Sequence, residues 1–374
     1  MVEWKKLGEV CETITPPKKL EKELYGVNGA FPIIDQGQKN IVGYTNDETS
    51  LVPNDEYILF GDHTRYVKYF NGSFAQGADG LKILKAANGI LPRYFFFSFE
   101  NVDVPSRGYS RHWSIAKELI IPIPSLEEQT RIVGILDTFT SAIDNLKEQI
   151  AQRRKQYEYY RDQLLDLEGK EGVEMKTLGE VCEIKGRIGF RGYTREDQVE
   201  EGEGVISLSP GNIENGQMVY KGCTYITWEK YEESPEIKTY DGDILFCKTG
   251  STVGKVAMVK ELPCEATINP QLVVLKNITI DSKFLNYILG TYTIQSTVKR
   301  LAGVGSVPNI SQEKLENLKI PLPPLSEQQR IVSILDTFEA SIQNLEAQLK
   351  QREKQYEYYR NKLLTFEREN ENAS

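Results

Sequence analysis

Two short motifs in this 374-residue sequence carry residue types that support catalysis in other proteins, and each lacks a necessary part. Gly250–Val256 is similar to a phosphate-binding loop, but it has three residues between its glycines where that loop has four. Val256 also stands where the loop needs Ser or Thr. Asn269–Leu272 begins like the Asn-Pro-Pro-Tyr motif of adenine methyltransferases but lacks the second proline and the aromatic residue. We therefore expect neither nucleotide hydrolysis nor methyl transfer by this chain.

Histidine and cysteine are too few and too scattered for the common metal and nucleophilic sites. The chain has two histidines, His63 and His112, and five cysteines without a Cys-x-x-Cys pair. Structural zinc needs four such ligands, usually at short spacings, and neither histidine has a Ser or Cys partner at a diagnostic spacing. We expect no metal, no cofactor and no catalytic residue. The odd number of cysteines indicates a reducing cytoplasm rather than a disulfide framework.

The remaining chemistry lies in short basic and polar segments of the kind that bind nucleic acid. Arg can donate two hydrogen bonds to guanine, and Lys, Ser and Thr commonly bind phosphate. The candidates in the first third of the chain are His63, Thr64, Arg65, Lys68, Arg107, Tyr109 and Arg111. Those in the second half are Lys185, Arg187, Arg191, Tyr193, Arg195, Lys248, Thr249, Ser251, Thr252 and Lys255. A solvated basic loop without a ligand is the alternative interpretation of each segment.

Charge and hydrophobicity limit the classes of partner. The formal net charge of −9 predicts weak non-specific DNA binding by the chain alone, because phosphate contacts dominate that binding. A net charge says little about a local basic patch. No run of 18 apolar residues occurs, so no membrane span is expected. The first residues also lack the apolar segment of a secretory signal.

An internal repeat organises the chain. Residues 121–168 match residues 320–367 without a gap, at an offset of 199, with 30 identities in 48 positions. A shorter pair, 7–12 and 178–183, shares the sequence Leu-Gly-Glu-Val-Cys-Glu. The chain therefore consists of two dissimilar modules, each followed by a nearly identical segment. The expected boundaries are 1–120, 121–173, 174–319 and 320–374.

The repeated segments have the pattern of long helices that pair with each other. Apolar residues alternate by three and four over four heptads, with Arg153 and Arg352 as the polar exceptions. Ser125 and Glu128 form a capping-box pattern, which predicts a helix over 126–167 that ends before Gly169. A module between the two helices allows them to run antiparallel, with a pseudo-twofold axis. Two helices of a larger bundle core are the alternative.

The modules have the pattern of α+β domains with many short strands. Aromatic and alternating apolar runs are punctuated by Gly, Asn-Gly and Asp-Gly. The expected fold class is thus α+β: two globular domains separated by two long helices that form an antiparallel intramolecular coiled coil.

The repeated Ile-Pro-x-Pro-x-Leu-x-Glu-Gln-x-Arg-Ile-Val, followed by Leu-Asp-x-Phe, resembles the signature of the specificity (S) subunits of type I restriction–modification systems. Gly242–Lys255 is similar to a motif of their target-recognition domains, and Ile58–Arg65 with Gly77–Lys82 is similar to a variant of that motif. The resemblance covers the whole chain in the family's usual order.

The resemblance implies two target-recognition domains (1–120 and 174–319), a central conserved helical region (121–173) and a distal one (320–374). Each variable domain would read one half of a bipartite, asymmetric site in double-stranded DNA. The helices would set the spacer and dock methyltransferase (M) subunits, two in number, and restriction (R) subunits would join the full complex in a bacterial or archaeal cytoplasm. Two alternatives are a coiled-coil adapter without DNA recognition, and a reader fused to its own methyltransferase or nuclease.

Overall fold

The structure is a computed structural model that describes residues 2–77, 80–108, 110–187, 193–303, 305 and 307–367. The chain divides into two compact units. Unit 1 comprises Met1–Gln149 and Leu345–Ser374, and unit 2 comprises Ile150–Asn344. The boundaries predicted for the four segments stay a prediction.

The helices and strands of the described residues follow in chain order. The helices are α1 (Pro92–Glu100), α2 (Trp113–Ala116), α3 (Leu126–Leu164), α4 (Leu178–Val181), α5 (Trp228–Glu232), α6 (Ser282–Leu289), α7 (Tyr292–Ala302), α8 (Gln312–Glu316) and α9 (Leu325–Leu364). The strands of unit 1 are β1 (Glu3–Lys6), β2 (Cys11–Ile14), β3 (Phe31–Ile34), β4 (Gly43–Thr45), β5 (Leu51–Gly61), β6 (Val67–Gln76), β7 (Leu81–Ala86) and β8 (Ile120–Ile123). The strands of unit 2 are β9 (Glu174–Thr177), β10 (Glu183–Gly186), β11 (Gln198–Val199), β12 (Val205–Leu208), β13 (Ile213–Glu214), β14 (Gln217–Met218), β15 (Thr224–Ile226), β16 (Ile244–Cys247), β17 (Val256–Met258), β18 (Ala266–Ile268), β19 (Leu272–Lys276) and β20 (Lys319–Leu322).

Unit 1 is built on a six-stranded sheet in the order β2-β7-β5-β6-β3-β4. Its central strand β5 is buried on both faces, because Ile58 and Phe60 pack into one apolar core while Tyr57 and Leu59 pack into another. The aromatic helix α1 fills the first core, where Pro92 at its start supplies a pre-set helical φ. The larger core of unit 1 therefore lies between the sheet and the helices, and a smaller core of strand residues lies on the other face of the sheet.

Unit 2 has two four-stranded sheets, in the orders β10-β19-β16-β17 and β11-β15-β12-β18. The central strand β16 alternates as β5 does: Ile244 and Phe246 face the core that contains α6, and Leu245 and Cys247 face a second core. Both faces of this strand are buried, which explains its unbroken apolar sequence.

Each unit contains a sheet with the same strand order, although the two modules have little sequence similarity. The order β2-β7-β5-β6 in unit 1 corresponds to β10-β19-β16-β17 in unit 2. The registers agree as well, since Glu12 pairs with Lys85 as Glu183 pairs with Lys276. The pattern of buried positions, rather than residue identity, thus accounts for the shared topology.

The long helices α3 and α9 run antiparallel, as predicted. In unit 1 the ring of Phe139 stacks on Tyr359 with centroids 5.2 Å apart, and in unit 2 Tyr160 stacks on Phe338 at 5.4 Å. Phe139 corresponds to Phe338, and Tyr160 to Tyr359, at the repeat offset of 199. The same Phe–Tyr contact therefore forms in both units. The Arg residue of each seam also lies 5.9 Å from a seam Phe ring. None of the described helices is long and apolar enough to cross a membrane.

The ends of α3 differ slightly from the prediction. The helix begins at Leu126 as predicted, and Ser125 Oγ accepts the Glu128 N–H at 3.3 Å. The capping box also predicts a bond from the Ser125 N–H to the Glu128 carboxylate. That part of the prediction is wrong, because the carboxylate accepts from Arg131 instead. The helix ends at Leu164 rather than 167, since Leu165 and Leu167 pack into the core of unit 2.

Candidate nucleic-acid interface

A repeated glutamine joins each long helix to the module of its unit. Gln129 Oε1 accepts the N–H of Leu91, the N-cap of α1, at 2.9 Å, and Gln328 Oε1 accepts the N–H of Asp281, the N-cap of α6, at 3.1 Å. Both glutamines are buried. These residues were not among the sequence candidates, although the repeat of Glu-Gln in both segments was the signal that could have found them.

A repeated aspartate makes a second joint of the same kind. Asp137 forms an ion pair with Arg93 of α1, and Asp336 forms one with Lys283 of α6. The Tyr287 hydroxyl also donates to Asp336 at 2.9 Å. The first turns of α3 are thereby fixed against α1 in unit 1, and those of α9 against α6 in unit 2.

In unit 1, Asp62, the residue after β5, forms hydrogen bonds with the basic segment that precedes α2. The carbonyl of Asp62 accepts the His112 N–H at 2.8 Å, and its carboxylate accepts the Trp113 N–H at 2.7 Å. The fully buried His112 ring adds two bonds: Nδ1 lies 2.9 Å from the Asp62 carbonyl, and Nε2 accepts the Arg107 N–H at 3.1 Å. Since a carbonyl only accepts and an N–H only donates, the ring is the neutral Nδ1–H tautomer. The segment 107–112 is thus tied to the end of β5.

The arginines of this region are exposed. Arg65 adopts a φ of +64° and donates Nη1–H to the Val104 carbonyl at 2.7 Å, which joins the β5–β6 turn to the same segment. Arg107 and Arg111 are exposed, and neither forms an ion pair with another described residue. Tyr109 lies outside the described residues. The predicted residues of unit 1 that are brought together here can place several positive charges on one region.

The remaining candidates beside this turn are engaged with a third segment, the loop 35–42 between β3 and β4. His63 donates its N–H to Gln36 Oε1 at 3.1 Å, and the Thr64 hydroxyl donates to the Gln36 carbonyl. Lys68 is only 7% exposed, and its ammonium donates to the carbonyls of Asp35 at 2.9 Å and Lys39 at 2.5 Å. Burial lowers the pKa of this ammonium. The structure therefore places Lys68 inside the unit, as a brace for the loop.

In unit 2, the residue after β16 has the same backbone role as Asp62. The Lys248 carbonyl accepts the Ile310 N–H at 2.9 Å, and its N–H donates to the Gln271 carbonyl at 2.9 Å. Thr249 Oγ1 donates to Asn309 Oδ1 at 2.6 Å. A segment that precedes the last strand of the module is again tied to the end of the central strand. Asn309 and Gln271 were missed by sequence reasoning, because only the fold brings them to this turn.

The glycine-rich turn after β16 has a structural use for its lysine. Gly250 and Gly254 adopt φ of +99° and +96°, which only glycine adopts readily. The Lys255 ammonium donates to the carbonyls of Ile213 at 2.9 Å and Pro210 at 3.3 Å. Thr252 Oγ1 lies 3.4 Å from the Cys247 sulfur, and Ser251 is exposed. The lysine therefore holds the neighbouring loop, and the exposed hydroxyl of Ser251 faces solvent.

The segment 185–195 begins beside this turn. A Cβ at Gly186 would lie 3.7 Å from the Lys248 ammonium, and Lys185 pairs with Glu183 at 3.0 Å. Arg187 is 8% exposed, donates Nε–H to the Ile268 carbonyl at 3.0 Å and lies 5.7 Å from the Tyr193 ring centroid. Arg195 is exposed and forms no ion pair within the described chain. Arg191 lies outside the described residues.

Each unit thus carries loops tied to the end of an equivalent central strand. Unit 1 exposes Arg107 and Arg111 on them, and unit 2 exposes Ser251. Such loops suit phosphate and base-edge contacts. The described residues contain no cluster of three His, Cys, Asp or Glu that could hold a metal.

The chain is similar to known proteins over nearly its whole length. The family described as "Type I restriction modification DNA specificity domain" matches residues 1–153 and 170–353. The specificity subunit of the Escherichia coli type I restriction enzyme EcoR124I/EcoR124II is 32% identical, covering 98% of this chain and 94% of that protein. A putative type I specificity subunit of Haemophilus influenzae, S.HindORF215P, is 28% identical, covering 98% and 96%. A crystal structure of an S subunit from M. genitalium has the same fold, with a TM-score of 0.63 at 18% identity over 98% of this chain and 97% of that one.

Proposed function

The chain belongs to the type I restriction–modification DNA specificity family, and we propose that each of its units reads one half of a bipartite, asymmetric DNA site. As a specificity subunit it recognises DNA and is not itself a catalyst. The relatives come from bacteria and archaea, and the proposed setting is their cytoplasm.

The proposal rests on one observation: the two units have the same backbone arrangement after the central strand but expose different side chains. Asp62 and Lys248 make equivalent backbone bonds after β5 and β16. The exposed side chains differ, however: unit 1 exposes Arg107 and Arg111 in the segment tied to Asp62, while unit 2 exposes Ser251 in the turn after Lys248 and, elsewhere in the unit, Arg195. Since base contacts specify sequence and each side chain favours particular base edges, two such sets should read two different half-sites.

The proposal for the helices is that they dock two M subunits and set the spacer between the half-sites. Residues 155–161 are identical to 354–360, including positions that packing does not require. Tyr159 is 58% exposed and its equivalent Tyr358 is 59% exposed. Two copies of one surface suit two copies of one partner, and R subunits would then join the assembled complex.

The experiment uses the complex reconstituted with its M subunits and a library in which one half of the methylated site is fixed while the other is randomised. Arg111→Ala should alter binding through one half-site only, and Arg195→Ala through the other, because the residues belong to different units. Loss of a base-reading pair costs about 1–3 kcal/mol, whereas loss of a phosphate contact weakens all sequences equally and reduces the salt dependence.

One control variant and two further measurements separate the alternatives. Arg131→Ala, on α3 and paired with Glu128, should leave both half-sites unchanged. A coiled-coil adapter would show no sequence preference in the wild-type complex. A reader fused to its own methyltransferase would methylate DNA without M subunits, and we expect no methylation and no cleavage by the isolated chain.

A further inference from the structure

Lys68 of unit 1 holds a buried charge that the proposed function does not use. A buried ammonium is costly unless it is well bonded, and this one donates to the Asp35 and Lys39 carbonyls, which lie within the same loop. Both acceptors are backbone atoms, so the bonds fix the course of the chain between them. The lysine therefore constrains the loop 35–42 over Asp35–Lys39.

A second set of bonds holds the same loop from the side of the β5–β6 turn. The Gln36 carbonyl and side chain accept from Thr64 and His63, and Asp35 Oδ1 accepts the Gly37 N–H at 2.8 Å. A Cβ at Gly61 would lie 2.7 Å from the Gln36 carbonyl oxygen, so the glycine permits this approach. The residues on both sides of Gln38 are thereby held in place before any ligand arrives.

The side chains that this braced loop presents are unused. Gln38, Lys39 and Asn40 are all exposed, and the amides of Gln38 and Asn40 form no hydrogen bond with any described residue. Asn46, in the next connection of the chain, differs because its Oδ1 accepts the Ala30 N–H at 2.9 Å. Gln38 and Asn40 are therefore amides on a fixed support without a structural task.

An amide side chain offers one donor and one acceptor side by side, which matches N7 and the N6 amino group of adenine in the major groove. A loop held in advance loses less conformational entropy on binding than a mobile one. We propose that Gln38 and Asn40 are base-reading residues of unit 1, each directed at an adenine, and that Lys68 is the positioning residue for both. This inference rests on the proposed function and names readers for it.

The test measures methylation by the reconstituted complex on a library randomised in the half-site of unit 1. Gln38→Ala and Asn40→Ala should each reduce the preference for adenine at one base pair by about tenfold, with the other half-site unchanged. Lys39→Ala, the exposed neighbour, should change the salt dependence without changing any base preference. Lys68→Met should relax the same base pairs as the two amide variants.

Unchanged adenine preference in both amide variants would overturn the inference. If Arg111→Ala still alters the half-site in that case, the proposed function stands and only the readers are wrong. If none of the three variants alters it, unit 1 is not a reader and both proposals fail. Lys68→Met with wild-type preferences would overturn its positioning role, and thermal melting of each variant verifies that the fold is intact.

Discussion

Buried polar side chains, rather than exposed ones, give the loops of each unit their shape. His112 and Lys68 in unit 1 and Arg187 in unit 2 are buried and bind backbone atoms of neighbouring segments. Because a buried polar group without a partner costs more than a bond contributes, these contacts hold their loops firmly. The exposed arginines and amides can then vary without loss of the fold.

His112 offers a direct test of this view. His112→Ala removes two ring hydrogen bonds and leaves a cavity, so we expect the free energy of unfolding to fall by about 2–3 kcal/mol. Urea denaturation measures the loss. Ser114→Ala, an exposed neighbour whose hydroxyl lies 3.5 Å from the Arg111 carbonyl, should change stability little. Equal stability of the two variants would show that the ring does not hold the loop.

The placement of these cations could not be predicted from the sequence. Lys68 and Arg187 stand in basic segments that look solvated, and they are buried only because the fold brings distant carbonyls to them, those of Asp35, Lys39 and Ile268. The DNA-binding roles of the candidate residues stay predictions. The roles of Tyr109 and Arg191, which lie outside the described residues, also stay predictions. Arg191→Ala is expected to weaken specific DNA binding.

At the scale of the elements, the repeated signature has a structural explanation. Gln129 and Asp137 in α3, and Gln328 and Asp336 in α9, bind the N-caps and cations of α1 and α6. The seam itself was predictable, because heptad periodicity depends on local sequence. The common strand order of the two modules could not be predicted, because the strands are short and their pairing partners are far apart in sequence.

The repeated glutamine can be tested against the glutamine beside it. Gln328→Ala leaves the Asp281 N–H and the Pro323 carbonyl without their side-chain partner, which should destabilise unit 2 by about 1–3 kcal/mol. Gln329→Ala, at an exposed position of the same helix, is the matched control. Differential scanning calorimetry compares the two, and a melting temperature for Gln328→Ala no lower than for Gln329→Ala would contradict the anchoring role.

At the scale of the whole molecule, α3 and α9 each begin in one unit and end in the other. An insertion after Leu165 would separate two buried leucines, Leu165 and Leu167, so it is a poor way to lengthen the helices. Seven residues inserted after Gln149 and seven after Asn344 would add one heptad to each helix and keep the seam in register.

The proposed ruler predicts the result of that double insertion. Each helix grows by about 10 Å, which corresponds to roughly three base pairs of DNA. Mapping the methylated site should show unchanged half-sites with a spacer about three base pairs longer. An insertion in only one helix should disrupt the pairing and abolish methylation. An active double variant with the original spacer would show that the helices do not set the distance.

The proposed function requires that the two equivalent units read two different half-sites. Sequencing the DNA methylated by the reconstituted wild-type complex tests it most directly. We expect two unlike half-sites separated by a fixed number of unspecified base pairs, with Arg111→Ala and Arg195→Ala each altering a different half. A single continuous site, two identical half-sites, or methylation without sequence preference would contradict it.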